Sequence, residues 1–382
     1  MDITGIICEY NPLHLGHKKQ FDRIKSEYPH TGIVCLMSGN YVQRGYPAVF
    51  DKSLRAKAAI LSGADLILEL PVTAALSSAE GFASEGVRIL GGFCHRLCFG
   101  TESADKEALL CAAKALLSSQ FSEKLKAELD KGVSFPVARQ RALEVIGGNG
   151  DILSRPNDIL GTEYCKAILQ QGVPMEPMPI LREGSYHDQC IDEENPSATA
   201  LRASMLENTN WLRYVPKATK SVFEGAEEHR LAIGEQAILY RLRTMTDEEF
   251  EALPYGNEGL WRKLMHNARE YAALEEILTA TKSKRYTRTR LDRMVMCAFL
   301  GITQKDMDSP APYARVLALN DRGREILKAA RRTGLFPNAG EWVENPYQEL
   351  EYRAGSVYGL FSKGNRLFRE AERRIYYNKG DL

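Results

Sequence analysis

Two histidines near the start of the chain have the spacing of a phosphate-binding pair. His14 and His17 are three positions apart, so they share one face of any helix that contains them. A helix beginning there offers free N–H groups and the positive end of its dipole to an anion, and Gly16 lets the backbone approach a nucleotide closely. Imidazole donors can stabilise charge that builds on the α-phosphorus of a nucleotide. The segment therefore predicts a nucleotide site with His14 and His17 as catalytic residues.

The alternative is a pair of surface histidines beside a turn, which is how most isolated histidines are found. Here a short apolar run, residues 3–8, precedes the pair by six residues, and Asn11-Pro12 supplies a turn between them. This context favours the phosphate site. Two histidines offer too few ligands for a metal ion, and no metal site is predicted. The group Cys94, His95 and Cys98 has the same weakness, so buried thiols are expected there.

A second motif, residues 197–202, reads Ser-Ala-Thr-Ala-Leu-Arg. The hydroxyls of Ser197 and Thr199 suit phosphate oxygens, and Arg202 adds a positive charge. The same residues also form an ordinary helix N-cap, with Ser197 or Thr199 as the capping residue. From the residues alone the two interpretations weigh about equally.

The elements around these motifs alternate between strands and helices. Apolar runs predict strands at 3–8, 32–37, 66–70 and 96–99, with helices at 15–28, 52–62 and 77–90 between them. Such alternation is typical of a parallel sheet that binds ligands beyond the carboxyl ends of its strands. A further helix is expected at 158–171, then a strand at 175–181 whose two prolines favour a sheet edge. The predicted fold class is α/β, with a Rossmann-like parallel sheet.

Helical spacing dominates from about residue 211 onwards, and 382 residues suit two domains. The predicted division is a catalytic ATP-binding domain, residues 1–208, and a mainly α-helical RNA-binding domain, residues 209–382. No apolar run is long enough for a membrane span, and no targeting signal is visible. Eight scattered cysteines without a Cys-x-x-Cys pair indicate a reducing compartment, so a cytoplasmic location is expected.

A basic segment at residues 282–293 carries six lysines and arginines against one acid, Asp292, in a chain whose formal net charge is zero. One aromatic residue lies within it and can stack on a base, which suits RNA. The alternative is a solvated helix face, the usual role of a charge run. The residues predicted to contact RNA are Lys282, Lys284, Arg285, Tyr286, Arg288, Arg290 and Arg293.

These motifs resemble a known superfamily and, within it, one family. His-x-Gly-His and Ser-x-Thr-x-x-Arg are similar to the signatures of the nucleotidylyltransferases, and the lysine motif of class I aminoacyl-tRNA synthetases is absent. Strings along the chain resemble the bacterial tRNA(Met) cytidine acetate ligases. They are EYNP at 9–12, MSGN at 37–40, QRG at 43–45, GADLILELP at 63–71, FGTE at 99–102, RPNDILG at 155–161, REG at 182–184 and KRYTRTR at 284–290.

The resemblance implies a two-step reaction. Acetate attacks the α-phosphate of ATP, with Mg²⁺ accompanying the nucleotide, to give acetyl-adenylate and pyrophosphate. The acetyl group then passes to the wobble cytidine of elongator tRNA(Met), forming N4-acetylcytidine. The implied partners are therefore ATP, acetate and this tRNA, while the oligomeric state stays open.

The resemblance and the second motif together give a set of ATP-binding residues. For Asn157 and Arg182 the residues alone favour a helix cap and a surface ion pair instead. The set is Ile7, Cys8, Glu9, Tyr10, Asn11, Pro12, Leu13, His14, Leu15, Gly16, His17, Lys18, Lys19, Gln20, Gly100, Asn157, Arg182, Ser197, Thr199 and Arg202.

Asn11 departs from the superfamily, in which many members carry aspartate at this position. An amide cannot act as a base, but acetate is already an anion and needs none. Two other functions are left open. One is an adenylyltransferase acting on a small phosphorylated metabolite, which would have no use for the basic segment. The other is a non-catalytic RNA-binding protein, against which the intact His14, Gly16, His17 and Arg202 argue.

Overall fold

A seven-stranded mixed sheet organises the residues that the computed structural model describes, which are 1–182, 196–207, 209–336 and 345–379. The strands are β1 (Ile3–Cys8), β2 (Gly32–Ser38), β3 (Tyr41–Val42), β4 (Tyr46–Pro47), β5 (Leu66–Leu70), β6 (Arg96–Thr101), β7 (Glu176–Leu181), β8 (Arg315–Asn320) and β9 (Tyr376–Asn378). The sheet order is β7-β6-β1-β2-β5-β8-β9, and β3 pairs with β4 in a separate hairpin.

Helices surround this sheet and make up most of the second half of the chain. In the first half they are α1 (Leu15–Glu27), α2 (Lys52–Leu61), α3 (Val72–Ala75), α4 (Ala79–Leu90), α5 (Lys106–Leu116), α6 (Ser119–Leu129), α7 (Phe135–Val145) and α8 (Pro156–Gln171). They continue with α9 (Ala198–Leu206), α10 (Lys220–Phe223), α11 (Glu235–Thr244), α12 (Asp247–Glu251), α13 (Leu260–Glu270), α14 (Leu274–Thr281), α15 (Arg288–Leu300), α16 (Gln304–Met307), α17 (Asp321–Ala330) and α18 (Pro346–Val357).

The centre of the sheet has the parallel geometry that its sequence predicts. β1 lies parallel to both β2 and β6, and β2 lies parallel to β5. Every residue of β2 is buried, because helices cover both faces of the sheet. Successive side chains enter different cores, with Val34 in one and Cys35 in the other. The predicted α/β class is confirmed, and β7 is an edge strand as its prolines indicated.

The sheet also includes strands that the sequence pattern did not reveal. β8 pairs antiparallel with β5, and β9 pairs parallel with β8, so the sheet is mixed rather than wholly parallel. Both strands come from the region 209–382, where helical spacing hid two short runs. That region is otherwise mainly helical, and its core around residues such as Leu264, Ile277 and Met294 also includes Tyr41 and Val72 from the first half of the chain. The division at 208/209 stays a prediction, and Asn208 itself lies outside the described residues.

None of the described helices combines the length and apolar character that crossing a bilayer requires.

A buried ion network joins the two halves of the chain. The ammonium of Lys52 lies 2.5 Å from Glu69 and 2.7 Å from Glu370. Arg315 on β8 lies 2.8 Å from Glu370, and Arg373 lies 2.6 Å from the same carboxylate. Lys52 and nearby arginines lower the pKa of Glu370 to about 2, against the opposing effect of burial. One carboxylate thus pairs with cations from α2, β8 and the C-terminal segment.

Glu370→Gln removes that charge, and we expect it to lower the free energy of unfolding by about 3 kcal/mol, because a broken buried ion pair leaves uncompensated charge. Urea unfolding at neutral pH measures the change. Glu372→Gln is the matched control, because Glu372 pairs with Arg369 at 3.0 Å on the exposed surface, where a pair contributes only about 0–1 kcal/mol. Since the folded-state pKa of Glu370 is lowered from 4.5, its contribution should disappear as the pH falls from about 4.5 towards 2. Equal midpoints for both variants would contradict this role.

Candidate active site

A cavity of about 830 Å³ opens beyond the carboxyl ends of β1, β6 and β7. This is where an α/β sheet is expected to bind ligands, and the volume suits a nucleotide-sized molecule. Most of the predicted ATP-binding residues line it. They are Ile7, Cys8, Glu9, Tyr10, Asn11, His14, Gly16, His17, Lys19, Gln20, Gly100, Asn157, Arg182, Ser197, Thr199 and Arg202.

Four predicted residues are not part of the cavity wall. Pro12 and Leu13 are buried within the protein, behind the turn that joins β1 to α1. Leu15 begins α1, and Lys18 forms an ion pair with Asp22 one helical turn later. Helical periodicity explains the positions of Leu15 and Lys18, because only one face of α1 can point towards the cavity.

The histidine pair forms the start of α1. His14 is the N-cap, and its Nδ1 accepts a hydrogen bond of 3.1 Å from the Gly16 N–H. The Nδ1 of His17 accepts from the His14 N–H at 3.2 Å. Because both Nδ1 atoms are acceptors, a neutral ring at either position carries its proton on Nε2. A Cβ on Gly16 would lie 3.0 Å from the His14 ring, so glycine also makes room for this cap.

Both imidazoles are neutral at physiological pH. Burial lowers the pKa of His14 well below its usual value, and the nearby His17, Arg182 and Arg202 lower it further. Burial and then Arg182 lower the pKa of His17 to about 3. The pair therefore offers two neutral Nε2–H donors, with ring centroids 3.8 Å apart, rather than two positive charges. Positive charge in this cavity comes from arginines and from Lys19.

The second motif meets the first across the cavity. Ser197 caps α9 and accepts from the Ala200 N–H at 3.1 Å, so the helix-cap interpretation is correct for this residue. Arg202 donates at 2.7 Å to the main-chain oxygen of Asn11 and at 3.2 Å to the hydroxyl of Thr199. The motif thus both caps a helix and brings a guanidinium to the histidine turn.

Asn11 has a structural partner of its own. Its side-chain oxygen accepts a hydrogen bond of 2.7 Å from the Val49 N–H, and the residue is only 3% exposed. The amide therefore ties the β1–α1 turn to the chain that follows the β3–β4 hairpin.

The opposite wall is built around Asn157 and Arg182. The Glu102 carboxylate accepts a hydrogen bond of 2.7 Å from the Asn157 side-chain amide and one of 2.8 Å from the Asp158 N–H. The side-chain oxygen of Asn157 in turn accepts from Arg182 at 3.3 Å. Asn157 lies inside α8, whose N-cap is Arg155, so it is not the cap. Sequence reasoning missed the part played by Glu102, although the string at 99–102 contained it. Glu183 and Gly184, from the string at 182–184, lie outside the described residues.

The basic segment lies at the junction of α14 and α15, and much of its charge is matched within the protein. Arg285 lies 2.6 Å from Glu258, and Arg288 lies 2.6 Å from Glu275. Arg290 donates at 2.7 Å to a backbone oxygen, and Tyr286 donates to Glu258 at 2.7 Å. These acids are 13 to 28 positions away, so a local count of charges could not include them. The two lysines, Lys282 and Lys284, are exposed.

The helix that carries the second half of the basic segment, α15, packs against the hairpin at the rim of the cavity. Arg293 on α15 donates at 3.3 Å to the main-chain oxygen of Gln43. A Cβ on Gly45 would lie 2.4 Å from the backbone nitrogen of Arg293, and Gly45 also has a φ of +83°. Both the close approach and the left-handed backbone therefore require glycine. Gln43, Arg44 and Tyr46 line the cavity, although only the string at 43–45 marked this loop in the sequence.

Within the described ranges, no group of three or more His, Cys, Asp or Glu side chains could hold a metal ion. Cys94 and Cys98 are buried free thiols, and burial raises the pKa of Cys98 to about 12, which keeps that thiol protonated.

Comparison with known proteins gives consistent matches over nearly the whole chain. A family model described as HIGH Nucleotidyl Transferase matches residues 1–374. The chain is 38% identical to a tRNA(Met) cytidine acetate ligase of Clostridium novyi, over 95% of this chain and 96% of that protein. It is 35% identical to one of Clostridium acetobutylicum, with the same coverage. The crystal structure of Thermotoga maritima TmcAL superposes with a TM-score of 0.90 at 28% identity, covering 99% of this chain and 100% of that one. The same protein bound with α-thio ATP gives a TM-score of 0.87.

The state of the histidine pair can be tested directly. We expect the ¹⁵N shifts of His14 and His17 to show neutral Nε2–H rings from about pH 8 down to 6.5, where a free imidazole is half protonated, because burial lowers both pKa values. A histidine in a short peptide, with a pKa of about 6.5, is the reference. Protonation of either ring above about pH 6.5 would contradict the assignment.

Proposed function

The chain belongs to the family of tRNA(Met) cytidine acetate ligases, and from this membership we propose that it activates acetate with ATP and acetylates the wobble cytidine of elongator tRNA(Met). This agrees with the resemblance seen in the sequence strings. The observation that carries the proposal is one cavity that brings together the histidine pair, Arg182 and Arg202. The function expected from the site is that of an ATP-dependent ligase.

In the first step an acetate oxygen attacks the α-phosphorus of ATP, and the bond to the bridging oxygen of pyrophosphate breaks. The Nε2–H groups of His14 and His17 are suited to donate to the oxygens on which charge builds. Because both rings are already neutral at neutral pH, they can donate these hydrogen bonds without a change in protonation. Preorganised donors of this kind contribute about 2.7–4 kcal/mol each in other enzymes. The structure of Thermotoga maritima TmcAL with α-thio ATP supports an ATP site in this fold.

The triphosphate needs positive charge in addition to these donors. Arg182 and Arg202 line the cavity from two sides, and the N-terminus of α1 adds the positive end of its helix dipole. We propose that Mg²⁺ arrives with the nucleotide, bound mainly by phosphate oxygens and water. The described residues contain no three-ligand cluster of their own, and magnesium commonly keeps such a shell.

In the second step the exocyclic amine of cytidine attacks the acetyl carbon of acetyl-adenylate, and AMP leaves. We propose that the tRNA binds on the basic segment, whose exposed lysines and aromatic residue suit RNA. The packing of α15 on the hairpin supports this, because it sets the segment beside the cavity rim. An enzyme for a small phosphorylated metabolite would need no such surface, and a non-catalytic RNA-binding protein would not need the histidine pair. A cytoplasmic location follows from the substrates, ATP and tRNA.

His17→Ala should abolish acetate-dependent pyrophosphate release, with a loss of about 100-fold to 1000-fold in rate, because it removes a donor to the α-phosphate. Circular dichroism and the melting temperature establish that the variant folds. His30→Ala is the control, since His30 is exposed and lies outside the cavity. A His17→Ala protein as active as its parent would refute the role.

Charge reversal of Arg285 and Arg288 together should abolish tRNA binding but retain acetyl-adenylate formation, because both lie outside the cavity. If about six phosphates are neutralised, the logarithm of the parent's affinity should fall with a slope of about −4 to −5 against log salt. Filter binding over a salt series and acetate-dependent ATP–pyrophosphate exchange measure the two properties. Because both arginines pair with acids, Glu258→Gln is a second variant, which removes an acid and should strengthen binding. Loss of both activities in the double variant would show that the segment is structural.

A further inference from the structure

The cavity has one end whose acid–base chemistry the activation of acetate does not use. Glu9, Gln43, Arg44, Tyr46 and Arg202 line it where the β3–β4 hairpin meets the end of β1, and we call this the hairpin end. It contains a carboxylate. A carboxylate repels the phosphates of ATP, so its presence in this wall needs a physical reason.

Glu9 is held in a fixed orientation. Its side-chain Oε1 accepts a hydrogen bond of 2.7 Å from the Gln43 N–H. Its main-chain oxygen accepts one of 2.6 Å from the guanidinium of Arg55. Burial raises the pKa of Glu9, and the opposing influence of Arg202, Arg55 and Arg44 is weaker. A partly buried carboxylate that lines a cavity and is raised in pKa is a common feature of proton-transferring groups.

The second substrate supplies the matching chemistry. The exocyclic N4 amine of cytosine is a hydrogen-bond donor, and aspartate or glutamate is the side chain that accepts from it. Enzymes that modify a base bring it into a pocket, read its pairing edge and stack it on an aromatic ring. Tyr46 provides a ring at the hairpin end, and Arg293 on α15 contacts the same hairpin through Gln43. A base from RNA on the basic segment would therefore enter the cavity at this end.

We propose that the hairpin end is the cytosine subsite and that the Glu9 carboxylate binds the N4 amine and takes its proton during acetyl transfer. This rests on the proposed function. The N4 lone pair forms a bond to the acetyl carbon, and the bond from that carbon to the phosphate oxygen breaks. Its electron pair leaves with AMP. The N4 atom gives one proton to Glu9, which then releases it to water.

A purely structural role for Glu9 would be to fasten the end of β1 to the hairpin through the Gln43 N–H. Glu9→Gln separates the two roles. A glutamine oxygen can accept the same backbone hydrogen bond, but an amide cannot take up a proton.

The test starts from synthetic acetyl-adenylate and elongator tRNA(Met), so that the first step is bypassed. In a single turnover, Glu9→Gln should acetylate the tRNA at least about 100-fold more slowly than the parent, the typical contribution of a general base. Glu372→Gln is the control, because Glu372 is an exposed carboxylate that pairs with Arg369 and lies outside the cavity. A Glu9→Gln rate within about threefold of the parent overturns the proposal. A parent that fails to acetylate tRNA from acetyl-adenylate would instead overturn the proposed function.

The pH dependence gives a second readout that a structural role would not change. In the parent, the transfer rate should rise with pH as Glu9 loses its proton, and this rise should be absent in Glu9→Gln. The charged and titratable groups that interact with Glu9 are Arg202, Arg55, Arg44, Tyr46 and Tyr164. Burial raises the pKa of both tyrosines above 10, so neither accounts for a rise below neutral pH. An acid limb that persists unchanged in Glu9→Gln also overturns the proposal.

Discussion

One buried guanidinium joins the backbone segments next to the cavity, which we call the floor of the site. Arg55 on α2 is fully buried, and it donates at 2.6 Å to the main-chain oxygen of Glu9 and at 3.0 Å to that of Ser38. It also donates at 2.8 Å to the main-chain oxygen of Phe50, and it donates a further hydrogen bond to the main-chain oxygen of Gly39. These carbonyls come from the ends of β1 and β2, from the loop after β2 and from the segment between β4 and α2. Their dipoles offset the cost of burying the charge, while losing Arg55 would leave several buried acceptors unpaired.

Neutral, positive and negative groups occupy different parts of the cavity. Neutral imidazoles occupy the point where the chain turns into α1, and the arginines stand on the walls around them. The carboxylate of Glu9 lies at the hairpin end. Burial keeps the histidines uncharged, so they add hydrogen bonds without adding to the repulsion between nearby cations. Such an arrangement separates the two requirements of the proposed chemistry, which are attraction for a polyanion and acceptance of a proton from an amine.

The sequence predicted those parts of the site that depend on near neighbours. The β1–α1 turn, the histidine pair and the Ser197 N-cap of α9 each involve a few adjacent residues. Contacts between distant residues were not predictable in this way. Arg285 meets Glu258 only because α13 and α14 fold back on one another, and β8 becomes a strand only beside β5. The basic segment therefore looked more highly charged in the sequence than it is in the fold.

Other contacts between distant residues join the N-terminal and C-terminal halves of the chain. Arg373 makes two hydrogen bonds to Asp51, of 2.8 and 2.7 Å, and so reinforces the cap of α2 from the far end of the sequence. That helix also carries Lys52, which pairs with Glu370, and Arg55, which holds the floor of the site. Folding of the nucleotide site and docking of the C-terminal segment therefore stabilise one another through a single helix. Because α15 also packs on the hairpin at the rim, a tRNA bound to the helical half would meet a cavity whose walls that half has helped to fix.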